Sequence, residues 1–391
     1  MIVRQFISWV RTASAGERAD ATRALARAWL LSDLTPDDRA AAEGALLMLL
    51  DDASPLVRQA MAEVFARSAE APAAIVQALS VDQATVALPV LEHSPLLIDA
   101  DLVDIVATGN SEMQCAIARR IGLPASVCAA IAEVGSAAAA LELIENPYAE
   151  LAAFSWDRIV ERHGHLAAIR ESMLVLEDLP AATRAALVAK LSETLAQFVV
   201  ARNWLSADRA GRAASEARDR CTINIAARSR GEEMGALVAH LRATSQLTAG
   251  LILRALLSGN LELFSYALSE LSEMPQARVA ALLHDRSAAG LNALLSRAGL
   301  PESTFAAFRV ALEVCHEIGF ADSMGTVARL RRRMVERVLT RCASDEEATD
   351  ALLILLRRFA TESAREEARL FCDELVGEQA NAPGNHGLIA A

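Results

Sequence analysis

Residues 49–68 read LLDDASPLVRQAMAEVFARS, and this stretch decides the architecture. Pro55 has a locked φ and no N–H. It fits the first position of a helix, where that N–H would have no partner. Asp52 precedes it, where a short polar side chain caps the next helix or closes the turn. Beyond it Leu56, Val57, Ala60, Met61, Val64 and Phe65 recur at helical spacing, with charged or polar residues between them. The stretch is a turn followed by an amphipathic helix, whose small residues Ala60 and Ala62 allow close approach of a neighbour.

The same grammar extends outward. Pro36, Pro55, Pro72 and Pro89 lie 19, 17 and 17 residues apart. A proline opens a helix and is not expected inside one, so this part of the chain is cut into units of one helix plus a turn, two of which make a hairpin. Asp52, Asp82, Asn110 and Asn146 recur at intervals of 30, 28 and 36 residues, where a short polar side chain caps the next helix or closes the turn. Ser14 with Glu17, Ser344 with Glu347 and Ser363 with Glu366 fit the capping box, and Thr35-Pro36-Asp37-Asp38 opens a helix with acids on its dipole. Arg120-Ile121-Gly122-Leu123-Pro124 and Arg297-Ala298-Gly299-Leu300-Pro301 share a pattern in which Gly ends one helix and Pro starts the next. Arg58, Arg119 and Arg120, just after such turns, are expected to bridge neighbouring units.

Composition agrees. Hydrophobic residues are 53% of the 391 and aromatics only 4%, with Gly 18 and Pro 11. Ala, Leu, Arg and Glu dominate, and these favour helices. No alternating strand segment or Asn-Gly hairpin signal appears, which argues against sandwiches, collagen, disulfide scaffolds and disorder. Acids outnumber bases 50 to 38, a net charge of −12, and Lys190 is the sole lysine. No apolar run approaches a membrane span, and the N-terminal stretch reads as a repeat helix rather than a signal peptide. The six cysteines are scattered without a CxxC pair, which reads as buried thiols in a reducing cytoplasm.

The expected fold is all-α: helical-hairpin repeats over 1–165, a longer-helix segment over 166–231, further helical repeats over 232–377 and a disordered tail over 378–391. The absence of proline between Ala181 and Met274 is the reason to expect longer helices there.

The Asp-rich turn, the Val57-Arg58 pair and the small residues of 49–68 resemble a HEAT repeat, in abbreviated form given the 28–36 spacing. More closely, residues 49–228 resemble an uncharacterised bacterial family, domain of unknown function 2336. The strings DASPLVRQAMAE, PVLEHSPLLIDADLVDIV, QCAIARR, ERHGHLAAIRE and LVAKLSETL carry the likeness. The resemblance implies a HEAT-like α-solenoid. It implies no activity, cofactor or metal.

Two constellations bear on function. Arg329, Arg331, Arg332, Arg333, Arg337 and Arg341 stand against only Glu336, a concentrated basic stretch in an acidic chain. Val327, Leu330, Met334 and Val338 form the apolar stripe, leaving the arginines to other faces. Guanidinium groups suit phosphate or carboxylate partners. The structural reading pairs them with Glu346/Glu347 or Glu366/Glu367 on neighbouring helices. His163-Gly164-His165 with Glu161 could begin a metal site or accept a phosphoryl group. The plainer reading is a helix end, with Gly164 as the turn. Trp9, Trp29, Trp156 and Trp204 read as helix-packing residues. There is no Gly-rich phosphate loop, GxSxG, HExxH or Walker string.

The leading functional expectation is a non-enzymatic scaffold or adaptor in bacterial regulation, with a protein partner, no membrane span and a homodimer among the assemblies allowed. The alternatives are a nucleic-acid-binding HEAT-like protein or DNA glycosylase, which the acidic charge weighs against, and a sensor of a small anion or phosphotransfer protein.

Overall fold

The computed structural model describes residues 8–10, 12–285, 287–318, 324–343 and 350–381; for 318, 324–330, 351 and 374–381 it describes the backbone alone. The protein is all-α. Among the described residues the sole β feature is an isolated parallel bridge between Leu123 and Ala149. The chain divides into two compact units, Met1–Leu179 and Pro180–Ala391.

In the first unit the helices are α1 (Ala15–Leu31), α2 (Pro36–Leu49), α3 (Pro55–Phe65), α4 (Ala73–Ser80), α5 (Ala84–His93), α6 (Asp99–Thr108), α7 (Ser111–Ala118), α8 (Ala125–Val134), α9 (Ala137–Glu145), α10 (Ala153–His163) and α11 (Ala167–Val175). Alternate helices pack on one another. α1, α3, α5, α7, α9 and α11 form one row in succession, and α6, α8 and α10 form a second. Small side chains make this closeness affordable: Ala60, Ala62, Ala87, Ala116, Ala118, Ala132, Ala139 and Ala140 are all fully buried. Phe65 is buried as well, and Trp29 meets its ring edge-on at 6.0 Å.

The turns are built by the residues that mark them in the sequence. Ser14 and Glu17 close a capping box, and Thr35 accepts from the Asp38 N–H. Asp52 accepts from the Ser54 N–H at 2.8 Å, and Asn110 from the Met113 N–H at 3.0 Å. Asn146 accepts from the Tyr148 N–H and donates to the Ala118 and Arg120 carbonyls. Gly122 and Gly299 have φ of +69° and +70°, the left-handed turn that a side chain resists.

Arginines then tie one helix pair to another. Arg18 grips Asp52 with Nε and Nη2, both at 2.8 Å, and Arg58 grips Asp82 at 2.5 and 2.9 Å. Arg120 donates to the Leu91 and Ser94 carbonyls at 2.6 Å each, and Arg162 to those of Ala132 and Gly135 at 2.8 Å each. These carbonyls end α5 and α8, where the helix has no N–H left to offer. Arg119 bonds Glu142 at 2.6 Å.

The second unit begins with a long hairpin, α12 (Ala181–Ala201) and α13 (Ala207–Ala226). There follow α14 (Gly231–Ala243), α15 (Ala249–Leu257), α16 (Leu261–Ser272), α17 (Gln276–His284), α18 (Ala288–Arg297), α19 (Phe305–Ile318), α20 (Met324–Ala343) and α21 (Asp350–Asn381). α12, α14, α16 and α18 pack in succession; α19, α20 and α21 close the unit beside α15. Its main core includes Leu256, Phe264, Phe308, Met334 and Leu356. Phe264 and Phe308 stack at 5.9 Å.

Several expectations need correction. Pro89 lies inside α5 rather than at its start. It removes a single backbone N–H donor from a helix of ten residues, and packing of the buried Val86, Val90 and Leu91 holds the helix together. Ser363 and Glu366 do not start a helix, because α21 runs through them and Ser363 is buried mid-helix. A Ser-x-x-Glu spacing also places both residues on one helical face, so the pattern is ambiguous inside a helix. The helix also continues through Glu378 to Asn381, so residues 378–381 are helical where a disordered tail is expected; residues 382–391, like Ser344 to Glu347, lie outside the described residues. Finally, Cys221 and Cys372 are exposed, whereas Cys115, Cys128, Cys315 and Cys342 are buried.

Candidate functional site

The arginine-rich stretch falls on α20, and its arginines separate. Arg331 bonds Glu366 at 2.8 and 3.1 Å. Arg332 bonds Glu336 at 2.8 Å and Glu367 at 2.9 Å. Arg337 reaches Glu317 and Arg341 reaches Glu313, each at 3.0 Å. Arg333 is exposed and has no acidic partner among the described residues. The side chain of Arg329, like Glu346 and Glu347, lies outside the described residues. Glu366 and Glu367 are two of the acids the sequence offers for this role. α20 is therefore fastened to α19 and α21 by its own charges.

His163 is the last residue of α10, and Gly164 caps that helix. The His163 ring lies 3.3 Å from the Gly135 carbonyl oxygen. Burial, with Arg162 alongside, pushes its imidazole below the ordinary value. His165 is exposed. Glu161 turns to Arg158 at 2.5 Å instead of the histidines. Among the described residues no group of three His, Cys, Asp or Glu side chains is placed to hold a metal ion.

What the chain does assemble is a cavity of about 590 Å³ in the second unit, between α13, α15, α20 and α21. Four of its arginines are held by glutamates. Glu362 receives Arg220 at 2.8 Å and Arg254 at 2.7 Å, Glu366 receives Arg331, and Glu216 receives Arg358. Three more arginines of α21 line it, Arg357, Arg365 and Arg369, exposed and without an acidic partner among the described residues. Arg254 is only 7% exposed and stacks 4.2 Å from the Phe359 ring centre. The Nε atoms of Arg254 and Arg331 are buried and find no acceptor among the described residues. Near them on α13, burial pushes the Asp219 carboxyl up, outweighing the opposite pull of Arg254 and Arg218. Of the described arginines of the basic stretch on α20, Arg331 alone lines this cavity; Arg333, Arg337 and Arg341 line a separate shallow depression. Sequence reasoning missed the site. The arginines on α13, α15 and α21 are isolated or ordinary in sequence, and only the fold gathers them.

A family model described as an uncharacterised protein conserved in bacteria (DUF2336) matches residues 86–347, two thirds of the chain. The chain belongs to this family. The DUF2336 match starts later than the resemblance at 49–228 and runs on through α20. It includes His163, His165 and the arginines of α20, and it leaves out Asp52, Arg58 and α21. The cavity therefore combines DUF2336 residues with a wall that lies beyond the matched region. The curated proteins and the solved structures yield no match. Among the described residues no helix is long and apolar enough to cross a membrane.

Proposed function

We propose that this protein is a non-enzymatic, HEAT-like helical scaffold of the bacterial cytoplasm that works by binding another protein. One observation carries the reading: the end of the α12–α13 hairpin presents apolar side chains to solvent. Leu195, Phe198 and Trp204 are exposed, Trp204 at 64%. Phe198 and Trp204 meet edge-on at 5.7 Å, and Arg202 sits 5.0 Å from the Phe198 ring centre. Asn203 takes the left-handed conformation that ends α12, so the turn holds the aromatic pair in place. Trp204 is thus not a packing residue of the fold. Rigid aromatics with a neighbouring arginine are the residue types that anchor protein interfaces.

The experiment is a native pull-down from the source cell, comparing the full chain with a Phe198→Ser/Trp204→Ser variant. A protein enriched reproducibly by the first and lost with the second is the expected result. No such protein, or one retained equally by the variant, removes the reading. Light scattering on the same two proteins tests a second copy of this chain as the partner. The nucleic-acid alternative is weakened because the glutamates on Arg331, Arg332, Arg337 and Arg341 cancel much of the positive field it needs.

A further inference from the structure

We propose that the arginine-lined cavity of the second unit binds a small organic polyphosphate, a nucleoside di- or triphosphate or a molecule of like charge. This is a function separate from protein docking, because the exposed Leu195, Phe198 and Trp204 do not line the cavity.

The first argument is charge. Seven arginines line the cavity against three glutamates. The chain as a whole has 50 acids and 38 bases, so acids to neutralise them are plentiful. Elsewhere they are used that way: in the first unit, Asp52 and Asp82 each receive a two-pronged arginine. Here Glu362 serves two arginines at once, and Arg357, Arg365 and Arg369 have no acid among the described residues. An acidic protein that concentrates uncompensated guanidinium groups around a hollow attracts anions to it.

The second argument is geometry. Arg357, Arg365 and Arg369 are spaced eight and four residues apart on the single helix α21, which keeps them along one broad face. Guanidinium groups present paired N–H donors that match the oxygens of a phosphoryl group. The buried Nε donors of Arg254 and Arg331 add two unmet demands for an acceptor. Several cations in one small space favour a ligand whose negative charges are equally dense, as on a di- or triphosphate chain.

The third argument is the rest of the wall. Ile223, Leu257, Val335, Ile354 and Phe359 give the cavity an apolar side. A volume of about 590 Å³ is in the range of small-molecule sites. An inorganic anion would leave that side unused, while a base or similar ring would cover it.

The test is calorimetric titration of the full chain with ATP, inorganic pyrophosphate and citrate at physiological salt. ATP is expected to bind with a Kd of about 100 μM or tighter, more strongly than pyrophosphate, and citrate least. The Arg365→Gln and Arg369→Gln variants, whose side chains are exposed and without an acidic partner among the described residues, are each expected to weaken ATP binding about tenfold while the circular dichroism melt stays unchanged. Arg333→Gln removes an equally exposed charge outside the cavity and is expected to leave binding unaltered. Pyrophosphate binding as tightly as ATP would overturn the organic part of the proposal. Citrate binding best, no binding of either phosphate probe, or equal losses in all three variants would overturn the site itself.

Discussion

Two groups of arginines, one between the helices of the first unit and one around the cavity of the second, are used in opposite ways. In the first unit, Arg18, Arg58, Arg120 and Arg162 each reach an earlier or later turn and bond a carboxylate or the bare carbonyls of a helix end. Their charge and donors hold successive helices together. In the second unit, the arginines of α21 and their neighbours surround a hollow with more cation than the local glutamates match. Satisfied arginines make a brace, and incompletely satisfied ones leave a demand for an acceptor. Substitutions in the first unit should therefore cost stability, and substitutions at the rim of the cavity should cost binding alone.

The largest effect expected in the first unit is from Phe65→Ala. The side chain is fully buried, and its loss leaves a cavity beside Trp29. About 3–5 kcal/mol of stability should disappear, read by denaturant unfolding, with ATP binding by the folded protein unchanged. Arg58→Ala should cost less, about 2–3 kcal/mol, because Asp82 would be left largely enclosed and the Asp52 carbonyl without its donor. A loss below about 0.5 kcal/mol would mean that Arg58 is an ordinary surface arginine and would break the contrast between the units.

Acid sharpens it further. The Arg18 guanidinium holds the Asp52 carboxyl below its ordinary range against the effect of burial. At Asp82 burial pushes upward, but the bonds from Arg58 and the Gln83 N–H leave the net shift downward. Both carboxyls therefore have lower values folded than unfolded. Their stabilisation is complete above the ordinary aspartate value of about 4 and is lost as pH falls below it. The melting temperature of the full chain should be insensitive to these two groups near neutrality and fall in that acid range. An Arg18→Gln/Arg58→Gln variant should show a shallower fall. The smallest effect belongs to Arg333→Ala, exposed and without an acidic partner among the described residues, at about 0.5 kcal/mol or less.

Much of the fold was legible because helix signals are local. A cap, a proline at the first turn and a glycine at the end act within four residues, so Thr35, Pro55 and Gly122 can be read in place. The same locality misled at Pro89 and at Ser363, where packing carried a helix through a residue that usually bounds one. The arginines of α20 were visible as a cluster and, where described, are mostly paired; Arg333 is the exception. The cavity was not visible, since Arg220, Arg254 and Arg365 carry no shared pattern in the chain.

By itself, then, the sequence determined the helices, the turns and the all-α class, since alternating caps and apolar stripes act between near neighbours. Only the tertiary structure decided which charges found partners. Glu362 can serve Arg220 and Arg254, and Arg357, Arg365 and Arg369 can line a hollow with no acidic partner among the described residues, only once helices far apart in sequence have packed together. Electrostatic pairing depends on distance in space, and the chain's own order does not contain it.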